Sequence, residues 1–157
     1  MKWNFVPRTV VAILFALTAV TMLPSAYADQ CSLAGAAGQY GFSDSGMVLG
    51  IGPRVAVASL IFDTAGNISG PVTANLNGTV SQTTLAGRYT VNPDCTGTAS
   101  FSEFDQMGHV IITATVAFVW DDDMKQLHFI FTSAKLANGT TLPTVINGEA
   151  RKQHSEG

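Results

Sequence analysis

Charged side chains are scarce in this chain of 157 residues, at 12% of the total, with 8 Lys+Arg against 11 Asp+Glu. No basic cluster exists to follow a phosphate backbone, so nucleic acid is not an expected partner. Histidine is sparser still, at 3. His109, His128 and His154 form no His-x-x-x-His pair and no facial triad, which argues against a metal site. Cysteine occurs twice, with no Cys-x-x-Cys, so thiol redox chemistry is not expected. No Gly-x-Ser-x-Gly marks a hydrolase nucleophile, and no Gly-rich loop opens a helix to cradle phosphate. No cofactor is therefore implied. Only one apolar run is long, and it stands at the N-terminus.

That run belongs to a secretory signal over Met1–Ala28. Lys2 and Arg8 give a positive start, Val10 to Leu23 an apolar core, and Ala26-Tyr27-Ala28 a small-x-small cleavage site. The core is shorter than the roughly 20 residues of a spanning helix. A secreted or periplasmic protein starting at Asp29 is expected, with no membrane attachment after cleavage. Residues 29–157 then form one domain. Losing Lys2 and Arg8 leaves a net charge of about −5. In an exported chain, Cys31 and Cys95 most simply form one disulfide; two free thiols are the alternative. The bridge would close a loop of about 65 residues and stabilise by roughly 4 kcal/mol in the chain-entropy model.

The rest alternates apolar, β-branched runs with turn signals. A short helical turn is expected over Ser32–Ala37. Strands are expected over Gln39–Leu49, Val55–Phe62, Ile68–Leu76, Val80–Val91, Thr98–Asp105, Val110–Trp120, Leu127–Thr132 and Leu142–Arg151. Asn77-Gly78 is the strongest two-residue hairpin signal. Gly50-Ile-Gly-Pro53 reads as a break, and Gly87 as a bulge or close approach. About eight sequential strands on short loops argue for an all-β fold, a single antiparallel up-and-down barrel. A two-sheet sandwich is the alternative.

Periodicity assigns an interior. Val110, Ile112, Ala114, Val116, Phe118 and Trp120 share the more apolar face of the sixth strand. Leu127, Phe129 and Phe131 match them on the seventh. Tyr40, Phe42, Leu60, Phe62 and Tyr89 complete the set. The candidate lumen residues are thus Tyr40, Phe42, Leu60, Phe62, Tyr89, Val116, Phe118, Phe129 and Phe131. Ile111, Val119 and Ile130 fall outside and could support a homo-oligomer.

Glu103 is the one weak catalytic candidate. Inside an apolar barrel it would have a raised pKa and could act as a general acid or base. The favoured reading puts Phe104 inward and Glu103 in solvent. Arg88 and Arg151 could hold a ligand carboxylate at the barrel mouth, but surface ion pairs are the preferred reading. His128 is expected to face outward. Asp121-Asp122-Asp123 lacks the calcium-loop pattern and reads as a solvated turn. Asn67-Ile-Ser69, Asn77-Gly-Thr79 and Asn138-Gly-Thr140 match the glycosylation pattern, but each falls at an expected turn.

Several segments together resemble a group of small exported bacterial proteins. They are Cys31, Gly38-Gln-Tyr-Gly-Phe42, Phe62-Asp-Thr-Ala-Gly-Asn67, Asn77-Gly78, the central Gly87 to Gly97 segment, and Gly148-Glu-Ala-Arg151. The resemblance implies a calycin-like or allene-oxide-cyclase-like barrel and no settled activity. It carries over no catalytic residue. Three functions are open: a binding module for a small apolar molecule in the barrel, an isomerase or cyclase acting on an apolar substrate there, and an oligomeric surface-interaction protein.

Overall fold

The computed structural model describes residues 31–121 and 123–153. The signal and its cleavage site, Asp122, and the tail from His154 lie outside the described residues. Eight strands follow one another: β1 (Gly38–Val48), β2 (Gly52–Phe62), β3 (Asn67–Leu76), β4 (Thr79–Val91), β5 (Thr96–Phe104), β6 (Val110–Trp120), β7 (Gln126–Leu136) and β8 (Thr144–Lys152). Each pairs antiparallel with the next, and β8 closes on β1. The fold is a closed up-and-down barrel, not a sandwich. Closure leaves no open sheet edge.

Local chemistry accounts for the turns. Asn77 (φ 50°) and Gly78 (φ 89°) both take the left-handed backbone that a tight hairpin between right-twisted strands requires. Asp63 Oδ1 accepts hydrogen bonds from the Ala65 and Asn67 amides and fixes the β2–β3 loop. The second strand differs from expectation. It starts at Gly52, and Pro53 lies opposite Met47. Pro53 therefore sits near a strand's first residue, where its missing N–H is tolerated.

Two irregularities shift which side chains point inward. The β5–β6 register slips between Glu103 and Phe104, which face Ile112 and Val110. Val110, expected inside, is consequently exposed. The β6–β7 register slips between Thr115 and Val116, which face Ser133 and Phe131. After that slip Ala134 points inward, and β7 continues past Thr132.

One end of the barrel is sealed. A one-turn helix, α1 (Leu33–Ala36), is capped by Ser32, whose hydroxyl accepts from the Gly35 amide at 3.1 Å. The Cys31–Cys95 disulfide (Cα–Cα 5.0 Å) ties it to the β4–β5 turn. Tyr40, Trp120, Met124 and Leu127 are buried there with Ala36. The Tyr40 hydroxyl lies 3.0 Å from the Ala36 carbonyl and 2.9 Å from the Met124 carbonyl, so its one hydrogen serves both. The Tyr89 hydroxyl donates to the Asp63 carbonyl at 2.6 Å. Burial pushes the Tyr89 phenol up to about 12 and Tyr40 higher still.

Candidate functional site

Above this floor the lumen is tiled by aromatic rings. Phe42 stacks on Phe62, with centroids 5.9 Å apart, and contacts Phe129 at 5.5 Å. Phe101 meets Phe131 edge-on at 6.1 Å. Inward glycines make room for these rings. A Cβ on Gly97 would collide with the Phe118 ring, and one on Gly148 with the Phe129 ring. On β4, Gly87 allows the close approach of Phe101 rather than a bulge.

A cavity remains among them. The space open to the centre of a water molecule is about 50 Å³. Even as a compact sphere, adding one water radius gives an envelope of roughly 200 Å³. That suits a single-ring molecule and is below the roughly 300–1,000 Å³ of drug-sized pockets. Seven of the nine candidate lumen residues line it: Phe42, Leu60, Phe62, Val116, Phe118, Phe129 and Phe131. Tyr40 and Tyr89 do not. They point inward but belong to the floor, with their hydroxyls committed to backbone carbonyls.

The wall carries three charged side chains at the end opposite the floor. Glu103 is only 6% exposed, which corrects the expectation that Phe104 would take the interior. Arg54, 8% exposed, lies beside it, with Nη2 3.6 Å from Glu103 Oε1. Arg54 Nη1 donates to Asp44 Oδ1, and the Asp44 side chain is 11% exposed. Thr83 Oγ1 donates to Glu103 Oε2 at 3.2 Å. The Arg54 guanidinium also sits over the Phe131 ring, 5.5 Å from its centroid. Burial raises the pKa of both carboxyls, and the guanidinium only partly opposes it.

Arg54 and Asp44 were not singled out from sequence. Asp44 stands in the polar run Ser43-Asp-Ser45. Arg54 follows a proline within an apparent break. Both lie on the inner face by alternation, Asp44 with Tyr40 and Phe42 and Arg54 with Leu60 and Phe62, and the pairing of Asp44 with Ala56 and of Gly46 with Arg54 brings them together. Arg88 and Arg151 lie elsewhere. Arg88 donates to Asn67 Oδ1 and the Ala65 carbonyl at 3.1 Å each, and Arg151 is exposed on the outer wall. His128 is exposed on the outer wall. Asp121 Oδ1 accepts from the Lys125 and Gln126 amides and so serves its turn. Among the described residues, no three His, Cys, Asp or Glu side chains gather as metal ligands would.

Fold and site together define a small closed barrel with an apolar lumen, one sealed end and a buried ionic cluster at the other. No protein family matches the chain, and no curated protein matches its sequence. Solved structures match its shape. A barrel described as EF1p2_mFAP2b bound to DFHBI has a TM-score of 0.57 at 12% identity, covering 79% of this chain and 98% of that one. A redesigned β-barrel, mFAP1 bound to DFHBI, gives 0.52 at 13%, covering 77% and 98%. The S-type phycobiliprotein lyase CPES from Guillardia theta gives 0.45 at 10%, covering 79% and 92%. At these identities the likeness concerns the fold alone. It supports the small-barrel part of the resemblance drawn from sequence, and no relation to allene oxide cyclases.

Proposed function

We propose that this protein is an exported binding module that holds a small, largely apolar molecule in its barrel. The observation that carries the reading is the cavity enclosed by Phe42, Leu60, Phe118, Phe129 and their neighbours. Rings already ordered by packing lose little entropy when a guest arrives. The two barrels described as bound to DFHBI support the idea that this architecture can host a small molecule. The disulfide is compatible with the secreted or periplasmic location that the signal implies. Native mass spectrometry of protein purified from its own host tests the reading. A retained mass that competes with an added aromatic probe is expected. An empty protein whose lumen resonances ignore such probes would refute it.

One observation favours a second reading, an isomerase or cyclase. Glu103 is a buried carboxyl in the cavity wall with a raised pKa, as a general acid or base requires. Glu103→Gln would then abolish turnover of a bound guest while leaving the fold and affinity intact. Unchanged turnover removes Glu103 from that role.

A further inference from the structure

The ionic cluster restricts which polar group a guest can carry. Arg54 is the only cation lining the cavity among the described residues, and Asp44 and Glu103 are the only anions. The guanidinium faces one carboxylate on each side. With two carboxyls to one guanidinium, the cluster carries −1 when both are ionised and is neutral when one holds a proton. A carboxylate guest would need Arg54 as its partner and would meet the field of Asp44 and Glu103 there. Acceptors remain free. Among the described residues no hydrogen bond reaches Asp44 Oδ2, and Glu103 Oε2 receives only Thr83. An ionised carboxyl has room for about four donors over its two oxygens. The carboxyls therefore keep acceptor positions open, while the N–H groups Arg54 has beyond its one hydrogen bond to Asp44 include Nη2, turned toward Glu103.

We infer that the guest of this lumen has an apolar body of about one ring and a hydrogen-bond-donating, non-anionic head, such as a hydroxyl or an amine. That head docks on Asp44 and Glu103, and carboxylates are refused. The inference rests on the lumen being a binding site, as proposed above. The apolar body fills the space between Leu60, Phe118 and Phe129, while the head meets the carboxylates beside Arg54. Arg54 is then a structural counter-ion that favours the ionised form of both carboxyls in an apolar wall.

Three probes with one apolar part separate the possibilities: 4-phenylbutan-1-ol, 4-phenylbutylamine and 4-phenylbutanoate. Each is titrated into the mature protein at pH 7. Affinity is read by calorimetry and location by the methyl resonances of Leu60 and Val116. The alcohol or the amine should bind at least tenfold more tightly than the carboxylate and shift both methyl groups. The double variant Asp44→Asn/Glu103→Gln leaves Arg54 uncompensated and should reverse the order. If that variant does not fold, the single variant Asp44→Asn should narrow the gap. A carboxylate that binds wild-type protein as well as the other two overturns the inference while leaving the lumen reading standing. If none of the three shifts a lumen methyl, both fall.

Discussion

Replacing Arg54 with methionine would remove the charge at the centre of the cluster while keeping a stem that packs on Phe131. Both carboxylates lose the same partner and stay in an apolar wall. Breaking a buried ionic group in this way costs about 3–5 kcal/mol, a large fraction of the 5–15 kcal/mol that typically holds a domain together. The loss should depend on pH. Burial already raises both carboxyls, and Arg54 holds them back; without it they rise further. A carboxyl whose pKa is raised on folding supports the fold fully below its unfolded value, near pH 4. That support is lost as pH climbs through the folded value. The deficit of Arg54→Met against wild type should therefore shrink from about 4 kcal/mol at pH 7 to about 1 kcal/mol near pH 4. Urea unfolding of a chain starting at Asp29, followed by fluorescence, measures it, since Trp120 is the one tryptophan of that segment. Adding Asp44→Asn and Glu103→Gln should restore most of the loss at pH 7. A deficit below about 1 kcal/mol at pH 7, or one equal at both pH values, would refute the reasoning.

Other consequences are open to measurement. Cys95→Ser opens a loop whose ends are 64 residues apart and should lower stability by about 4 kcal/mol; a denaturation midpoint unmoved by the substitution contradicts it. Tyr40→Phe leaves the Ala36 and Met124 carbonyls short of a donor and should cost about 1–3 kcal/mol, read as a drop in thermal midpoint. Absorbance at 295 nm should show Tyr40 and Tyr89 ionising above pH 10 and only as the fold opens. Raised phenols favour the fold up to their ordinary value near 10 and lose that support above it. A reversible midpoint near pH 10 in folded protein would count against the sealed floor. Gly148→Ala places a methyl in the path of the Phe129 ring and should both destabilise the barrel and shrink the cavity. Probe affinity unchanged in that variant would show that Phe129 does not bound the guest.

The barrel was legible because its strands are long and their breaks carry strong local chemistry. Asn77-Gly78 and the Asp63 loop left little choice of turn, and the alternation from Ala114 to Trp120 left little choice of face. The charged part of the site was hidden for a different reason. Glu103 points inward by simple alternation with Ala99 and Phe101, but Phe104 next to it falls at a register slip, and a slip is a property of two strands. Reading β5 by itself, Phe101 and Phe104 compete for the interior with equal claim. Asp44 and Arg54 were obscured by their neighbours: serines on either side of one, a proline before the other. Alternation with Tyr40 and Phe42, and with Leu60 and Phe62, puts them on the inner face, but only the pairing across the first hairpin shows that they meet there. Tyr40 and Tyr89 show the limit of periodicity in another way. It told which side of the wall they occupy but not the height at which α1 stops the lumen.

The floor built on Tyr40, Met124 and the disulfide-tethered turn makes the molecule a cup rather than a pipe. A molecule entering at the opposite end would pass the same two acids and one base on its way out. Such a vessel can carry, shelter or present its contents, but it cannot conduct them from one side to the other.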